Sequence, residues 1–224
     1  TTPQVRARVM AYAPHGVQVG QPLWLGLQLT HQPEWHTYWR NPGDSGLPTQ
    51  LDWELPSGLH AQETLWPLPR KLKAGPLTNY GYDGTALLVT PVIVQPEWQA
   101  TSTVAIRLRA NWLVCRLECI PQEGEFSLQL PTRTSAAANA AAFETVLRQQ
   151  ASALPSAVPV RFEGPHLALS VSGLPAHWQG QRIAVFPEQP ELLESAAEQH
   201  PLALQNWQGD VLQLRLPQNS LRTQ

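Results

Sequence analysis

Cys115 and Cys119 are the only cysteines among the 224 residues. They stand four apart in Trp112-Leu113-Val114-Cys115-Arg116-Leu117-Glu118-Cys119-Ile120-Pro121. Such a pair can do one of four things. Half a zinc site is one, but tetrahedral zinc needs four ligands or three plus water. His31, His36 and His60, the nearest histidines of interest, sit at no standard finger spacing. Two unrelated buried thiols is another, and chance rarely puts two cysteines this close. A structural staple is the third. On the chain-entropy account a five-residue loop stabilises by only about 2 kcal/mol, against roughly 3 for fifteen residues. The fourth is a dithiol–disulfide couple, for which a short loop is well suited because its bond exchanges readily. Chemistry favours the couple, and the staple stays open beside it.

The surroundings place the pair in a loop or at a strand end. Pro121 follows two residues after Cys119, and Glu123-Gly124 reads as a turn. Arg116 next to Cys115 would favour a thiolate, and Glu118 next to Cys119 would oppose one. No Cys-x-x-Cys occurs, so the chain is not itself a thioredoxin. Trp35, His36, Tyr38 and Trp39 could form a sugar-stacking platform. The plainer reading packs Trp35 and Trp39 into a β-sandwich, supports the cysteine loop with them, and makes Asn41-Pro42-Gly43-Asp44 a turn. Asp44 and Glu54 show no paired-carboxylate arrangement, His15, His166, His177 and His200 are scattered, and no Gly-x-Ser-x-Gly occurs.

The elements that must hold the pair read as mainly β. Pro contributes 22 residues, about twice the usual share, which disfavours long helices. Residues 5–12, 23–29, 51–55, 104–108 and 126–130 alternate apolar and polar side chains, the period of a strand with two different faces. Residues 87–94 are continuously apolar around Thr90-Pro91, which suggests an edge or bulged strand. About seven short strands between Pro- and Gly-bearing turns predict an immunoglobulin-like β-sandwich over residues 1–134. Residues 135–153 are Ala-rich, free of Gly and Pro, and predict a helix with Ser135 as N-cap, followed by a linker to 157. Strands return at 167–171, 183–186 and 211–216, with a short helix over 191–199. Residues 158–224 thus form a smaller β-rich or α+β unit, complete or the start of a larger domain.

Composition excludes other classes. Net charge is −2 without basic clusters, so phosphate-backbone binding is not the main task. No apolar run approaches the ~20 residues that span a bilayer, so the stretch itself reads as soluble. The chain opens Thr1-Thr2-Pro3, with no initiator Met, as a mature sequence would after loss of a signal peptide.

Several segments, in order, resemble one family. They are Trp35-His36-Thr37-Tyr38-Trp39-Arg40-Asn41-Pro42-Gly43-Asp44-Ser45-Gly46, Trp66-Pro67-Leu68-Pro69, Tyr80-Gly81-Tyr82, and Trp112 to Cys115 with Cys119-Ile120-Pro121. Together they look like the N-terminal periplasmic domain of thiol:disulfide interchange protein DsbD, closest to its ScsB-like branch. The resemblance covers about residues 5 to 135, and the second unit matches loosely. It implies a periplasmic immunoglobulin-like domain whose Cys115/Cys119 pair is the catalytic centre, with no metal or organic cofactor. It also implies an inner-membrane full-length protein in which a membrane relay and a thioredoxin-like domain supply electrons, and periplasmic thioredoxin-fold proteins accept them. By the same resemblance Cys119 forms the mixed disulfide and Cys115 resolves it. Two departures stand out. The best-studied branch has five residues between its cysteines, where three stand here. That branch also shields the pair with an aromatic cap loop, which would map to Trp66, Tyr80 or Tyr82, with Trp35, Trp39, Trp112 and Pro121 supporting the cysteine loop. The competing expectation is a non-catalytic envelope binding or adhesion sandwich with a staple disulfide.

Overall fold

Val104, Ile106, Leu108, Ala110, Trp112 and Val114 are buried, while the residues between them are exposed as far as Asn111. This period of two makes one long strand with an apolar face. The computed structural model describes residues 2–200 and 203–220. Its first ten strands are β1 (Val5–Tyr12), β2 (Trp24–His31), β3 (His36–Gly43), β4 (Gln50–Glu54), β5 (Leu59–Ala61), β6 (Arg70–Ala74), β7 (Leu77–Asp83), β8 (Thr85–Val94), β9 (Thr103–Cys115) and β10 (Cys119–Pro131). They build two antiparallel-paired layers, β1-β2-β8-β5 and β10-β9-β3-β7-β6, with β4 pairing β9. Leu25, Leu27 and Leu29 of β2 pack against Ile106, Leu108 and Ala110 of β9, so the apolar faces of the two sheets meet in one core. This is the immunoglobulin-like sandwich expected.

The apolar stretch at 87–94 is not an edge. Strand β8 lies between β2 and β5. One face looks into the sandwich, and Leu87 and Val89 on the other pack against Phe143 and Val146 of helix α1 (Ala140–Arg148). Burial on both faces explains a run without alternation. Gly26 permits the helix to approach: a Cβ there would lie 2.7 Å from Leu87 Cδ1 and 3.1 Å from Phe143 Cζ. The helix is shorter than the 135–153 expected, and its N-cap is Asn139 rather than Ser135. Ala136 and Ala13 exchange backbone hydrogen bonds of 2.9 Å in both directions, which holds the chain extended there and delays the first turn. The predicted turn at Asn41-Pro42-Gly43-Asp44 also shifts, because β3 continues through Gly43.

The described chain forms two compact units. One comprises the chain up to Arg40, Leu47–Arg70 and Gly81–Gln150; the other comprises Asn41–Gly46, Lys71–Tyr80 and the chain from Ala151 onward. The boundaries expected at 134 and 157 are contiguous ones. In the structure the helix belongs to the first unit, and two internal segments join the second. The second unit carries the sheet β11-β12-β14-β13, from β11 (Val160–Glu163), β12 (His166–Val171), β13 (Leu204–Gln208) and β14 (Val211–Pro217). Leu167, Leu212, Leu214 and Leu216 pack with Leu193 and Ala197 in its core. Residues 183–186 are not the strand expected: the Gln205 side-chain amide takes the Ile183 backbone N–H and carbonyl at 2.9 and 2.8 Å, replacing a ladder partner. The helix expected over 191–199 reduces to one 3₁₀ turn, Ala197–Gln199.

Candidate active site

Strands β9 and β10 are joined by Arg116, Leu117 and Glu118, and the Arg116 N–H donates to the Glu118 carbonyl at 3.0 Å to close the loop. The register sets Cys119 directly across from Cys115. Their Cα atoms are 4.1 Å apart and the sulfurs are bonded at 2.08 Å. The two ends differ sharply in access. Cys115 is 3% exposed, whereas Cys119 lies on the surface. Leu117, at the tip between them, is 95% exposed.

Strand β3 completes the site. His36 is the residue paired with Cys115, so His36, Cys115 and Cys119 occupy one row across three strands and share a sheet face. Tyr38 lies two residues further on the same face. Its hydroxyl is 3.8 Å from Cys119 Sγ, and since a disulfide sulfur carries no proton, the hydroxyl donates. Burial raises the Tyr38 pKa, which keeps that donor protonated. The His36 ring meets Tyr38 edge-on at 5.3 Å. Burial lowers the His36 pKa, and the Asp83 carboxylate opposes the shift. Behind it His31 Nδ1–H donates to the Gly84 carbonyl at 2.9 Å, which leaves Nε2 to accept from the Thr37 hydroxyl at 3.0 Å. Gly81 lets β7 close on this part of β3: a Cβ there would lie 2.1 Å from the Thr37 oxygen.

Arg116 reaches Glu34 at 3.3 Å and lies 5.5 Å from the centre of the Trp35 ring. Its charge is therefore shared with a carboxylate at the surface. Trp35 also packs against the sandwich core, and Trp39 is buried. Trp112 is buried with its Nε1–H donating to Gln122 Oε1 at 3.0 Å. Pro121 pairs with Leu113 on the cysteines' own sheet face, and both line a groove of about 360 Å³ with Leu47, Pro48 and Asn111. Of the residues mapped to a cap, Trp66 is half-buried and its carbonyl accepts from Gln150 Nε2 at 3.2 Å. The Tyr82 hydroxyl donates to the Pro67 carbonyl at 2.8 Å. Tyr80 belongs to the second unit, where its hydroxyl donates to the Ser195 carbonyl at 2.9 Å and its ring meets Phe186 edge-on at 5.3 Å. Lys71, paired with Glu198, lies over both of those rings. From the sequence, His36 and Tyr38 suggest a sugar platform, and His36 also a zinc ligand at no standard spacing, but neither suggests a role at the sulfurs. The signal that places them at the sulfurs is their i, i+2 spacing, which requires knowing that β3 neighbours β9. Among the described residues, no group of three or more His, Cys, Asp or Glu is placed to hold a metal ion.

The structure is thus an immunoglobulin-like sandwich carrying a disulfide at a hairpin end, with Cys119 exposed and Cys115 buried. The chain belongs to the family described as thiol:disulfide interchange protein DsbD, N-terminal, whose model matches residues 7–131. The N-terminal periplasmic domain of ScsB from Proteus mirabilis shares the fold, with a TM-score of 0.62 at 19% identity over 96% of this chain and 80% of that one. The N-terminal domain of Neisseria meningitidis DsbD in its reduced form aligns with a TM-score of 0.37 at 12% identity, over 56% of this chain and 85% of that one. No curated protein sequence matches the chain. Among the described residues, no helix is long and apolar enough to cross a membrane.

Proposed function

We propose that this is a periplasmic protein-disulfide reductase domain. It takes reducing equivalents from a thioredoxin-like domain of a membrane relay and passes them to thioredoxin-fold proteins of the periplasm. The observation that carries the reading is the asymmetry of the pair: an exposed Cys119 beside a buried Cys115. In the reduced state the Cys119 thiolate attacks a partner disulfide, one partner sulfur leaves as a thiolate, and a mixed disulfide forms. Cys115 then attacks Cys119 Sγ. The Cys115–Cys119 bond closes, the second partner thiol departs, and two electrons have moved to the partner. The bond seen here is the end of that cycle, and the thioredoxin-like donor resets it by the reverse exchange. Trp66 and Tyr82 are the proposed shield of the pair.

Single cysteine variants test the order of attack. Cys115→Ala, incubated with an oxidised thioredoxin-fold partner, should accumulate a mixed disulfide visible on a non-reducing gel. Cys119→Ala should accumulate none, because the remaining sulfur is buried. Trapping by Cys119→Ala alone would reverse the assignment, and trapping by neither variant would leave the bond a staple.

A further inference from the structure

His36 is 7% exposed, and its Nε2 atom is enclosed without a hydrogen-bond partner. A buried imidazole nitrogen without a partner is unfavourable, and the residue that carries it is the cross-strand partner of Cys115. Cys115 poses a matching difficulty. Cys115 is 3% exposed, yet only a thiolate attacks a disulfide. Bulk water has little access to take the proton, so the acceptor must come from the protein. We propose that His36 is the proton acceptor that activates Cys115 for the second, resolving step of exchange. The proposal rests on the exchange reading above.

The Cys115 S–H bond breaks and an N–H bond forms on the His36 ring. The thiolate's electron pair makes the Cys115–Cys119 bond while the bond from Cys119 to the partner breaks. The electrons leave on the partner sulfur, which recovers the proton from His36. The groups around the imidazole suit this cycle. Its burial keeps the resting ring neutral and able to accept. Asp83 of β7 favours the imidazolium once it forms. Tyr38 presents its ring edge-on and stays protonated, so it does not compete for the proton. One face of the sheet thus separates the two tasks: Tyr38 attends Cys119, and His36 attends Cys115.

The test follows the reduced protein reacting with less than one equivalent of 5,5′-dithiobis(2-nitrobenzoate). A first nitrothiolate is released when Cys119 attacks, and a second when Cys115 closes the bond. In the wild type the second phase should titrate with an apparent pKa below 6.5 and then stay flat up to pH ~8. In His36→Gln it should be roughly a hundredfold slower at pH 7. It should also recover as pH rises through the ordinary thiol range near 8.5. The first phase should be the same in both proteins. Equal second phases, or a slowing by one factor at every pH, would overturn the proposal, the latter because it marks mere positioning. If His36→Gln does not fold, the wild-type profile decides: a second phase that rises only through the thiol range excludes an imidazole acceptor. Absence of both phases in the wild type would instead sink the exchange reading itself.

Discussion

Tyr38 supplies the hydroxyl donor at Cys119, 3.8 Å from its sulfur in the disulfide form. When the sulfur becomes a thiolate, the same bond has a full charge to stabilise, and hydrogen bonds to charged groups contribute about 1.5–3 kcal/mol. At sulfur distance the lower end applies, which corresponds to roughly one pKa unit. Tyr38→Phe keeps the ring against His36 and removes only the donor. In a Cys115→Ala background it should raise the Cys119 thiol pKa by about one unit. The pH dependence of iodoacetamide alkylation reads this directly, and an unshifted curve would show that the hydroxyl does not serve the thiolate. Arg116 is the residue sequence adjacency singles out for the same task. In the structure it is occupied by Glu34 and Trp35, and an exposed pair of that kind contributes little.

The β9–β10 hairpin presents Leu117 beside the open sulfur, and an apolar side chain 95% exposed at such a tip has no folded-state role. Burying it against a partner would contribute about 1.5–3 kcal/mol. Leu117→Asp should therefore slow exchange with an oxidised thioredoxin by about tenfold or more. Exchange with glutathione disulfide, which offers no such surface, should be unchanged; equal slowing of both would place Leu117 in the loop's own structure. The hairpin also shows what was legible in the sequence and why. Strands such as β1, β4 and β9 face water on one side, so their alternation is written locally. Strand β8 is covered on both faces, which erases the alternation and made 87–94 look like an edge. The late start of α1 depends on Ala136 pairing with Ala13, and the coil at 183–186 on a side chain from Gln205; both partners are distant in sequence. The cysteine pair was legible by spacing alone, whereas His36 and Tyr38 required the strand order.

The whole first unit inherits a pH dependence from its two buried histidines. His31 and His36 are each 7% exposed, and burial lowers the pKa of both. A base whose folded pKa lies below its unfolded value of 6.5 contributes stability above that value and loses it as pH falls through the folded pKa. Each pKa unit of depression corresponds to about 1.4 kcal/mol lost once both forms are protonated. The sandwich should thus be most stable near and above pH 7, and its urea midpoint should fall as pH drops below 6.5. His31→Asn can keep a polar contact to Thr37 or Gly84 without titrating, so part of that slope should disappear in it even if its stability at pH 7 is lower. An unchanged slope in His31→Asn would assign the dependence to His36 alone. A midpoint flat across this range in the wild type would mean that both rings are hydrated in solution. The same protonation that weakens the unit fills the His36 acceptor. Acid should therefore slow the resolving step and loosen the sandwich over overlapping pH ranges, with the Asp83 carboxylate moderating both effects.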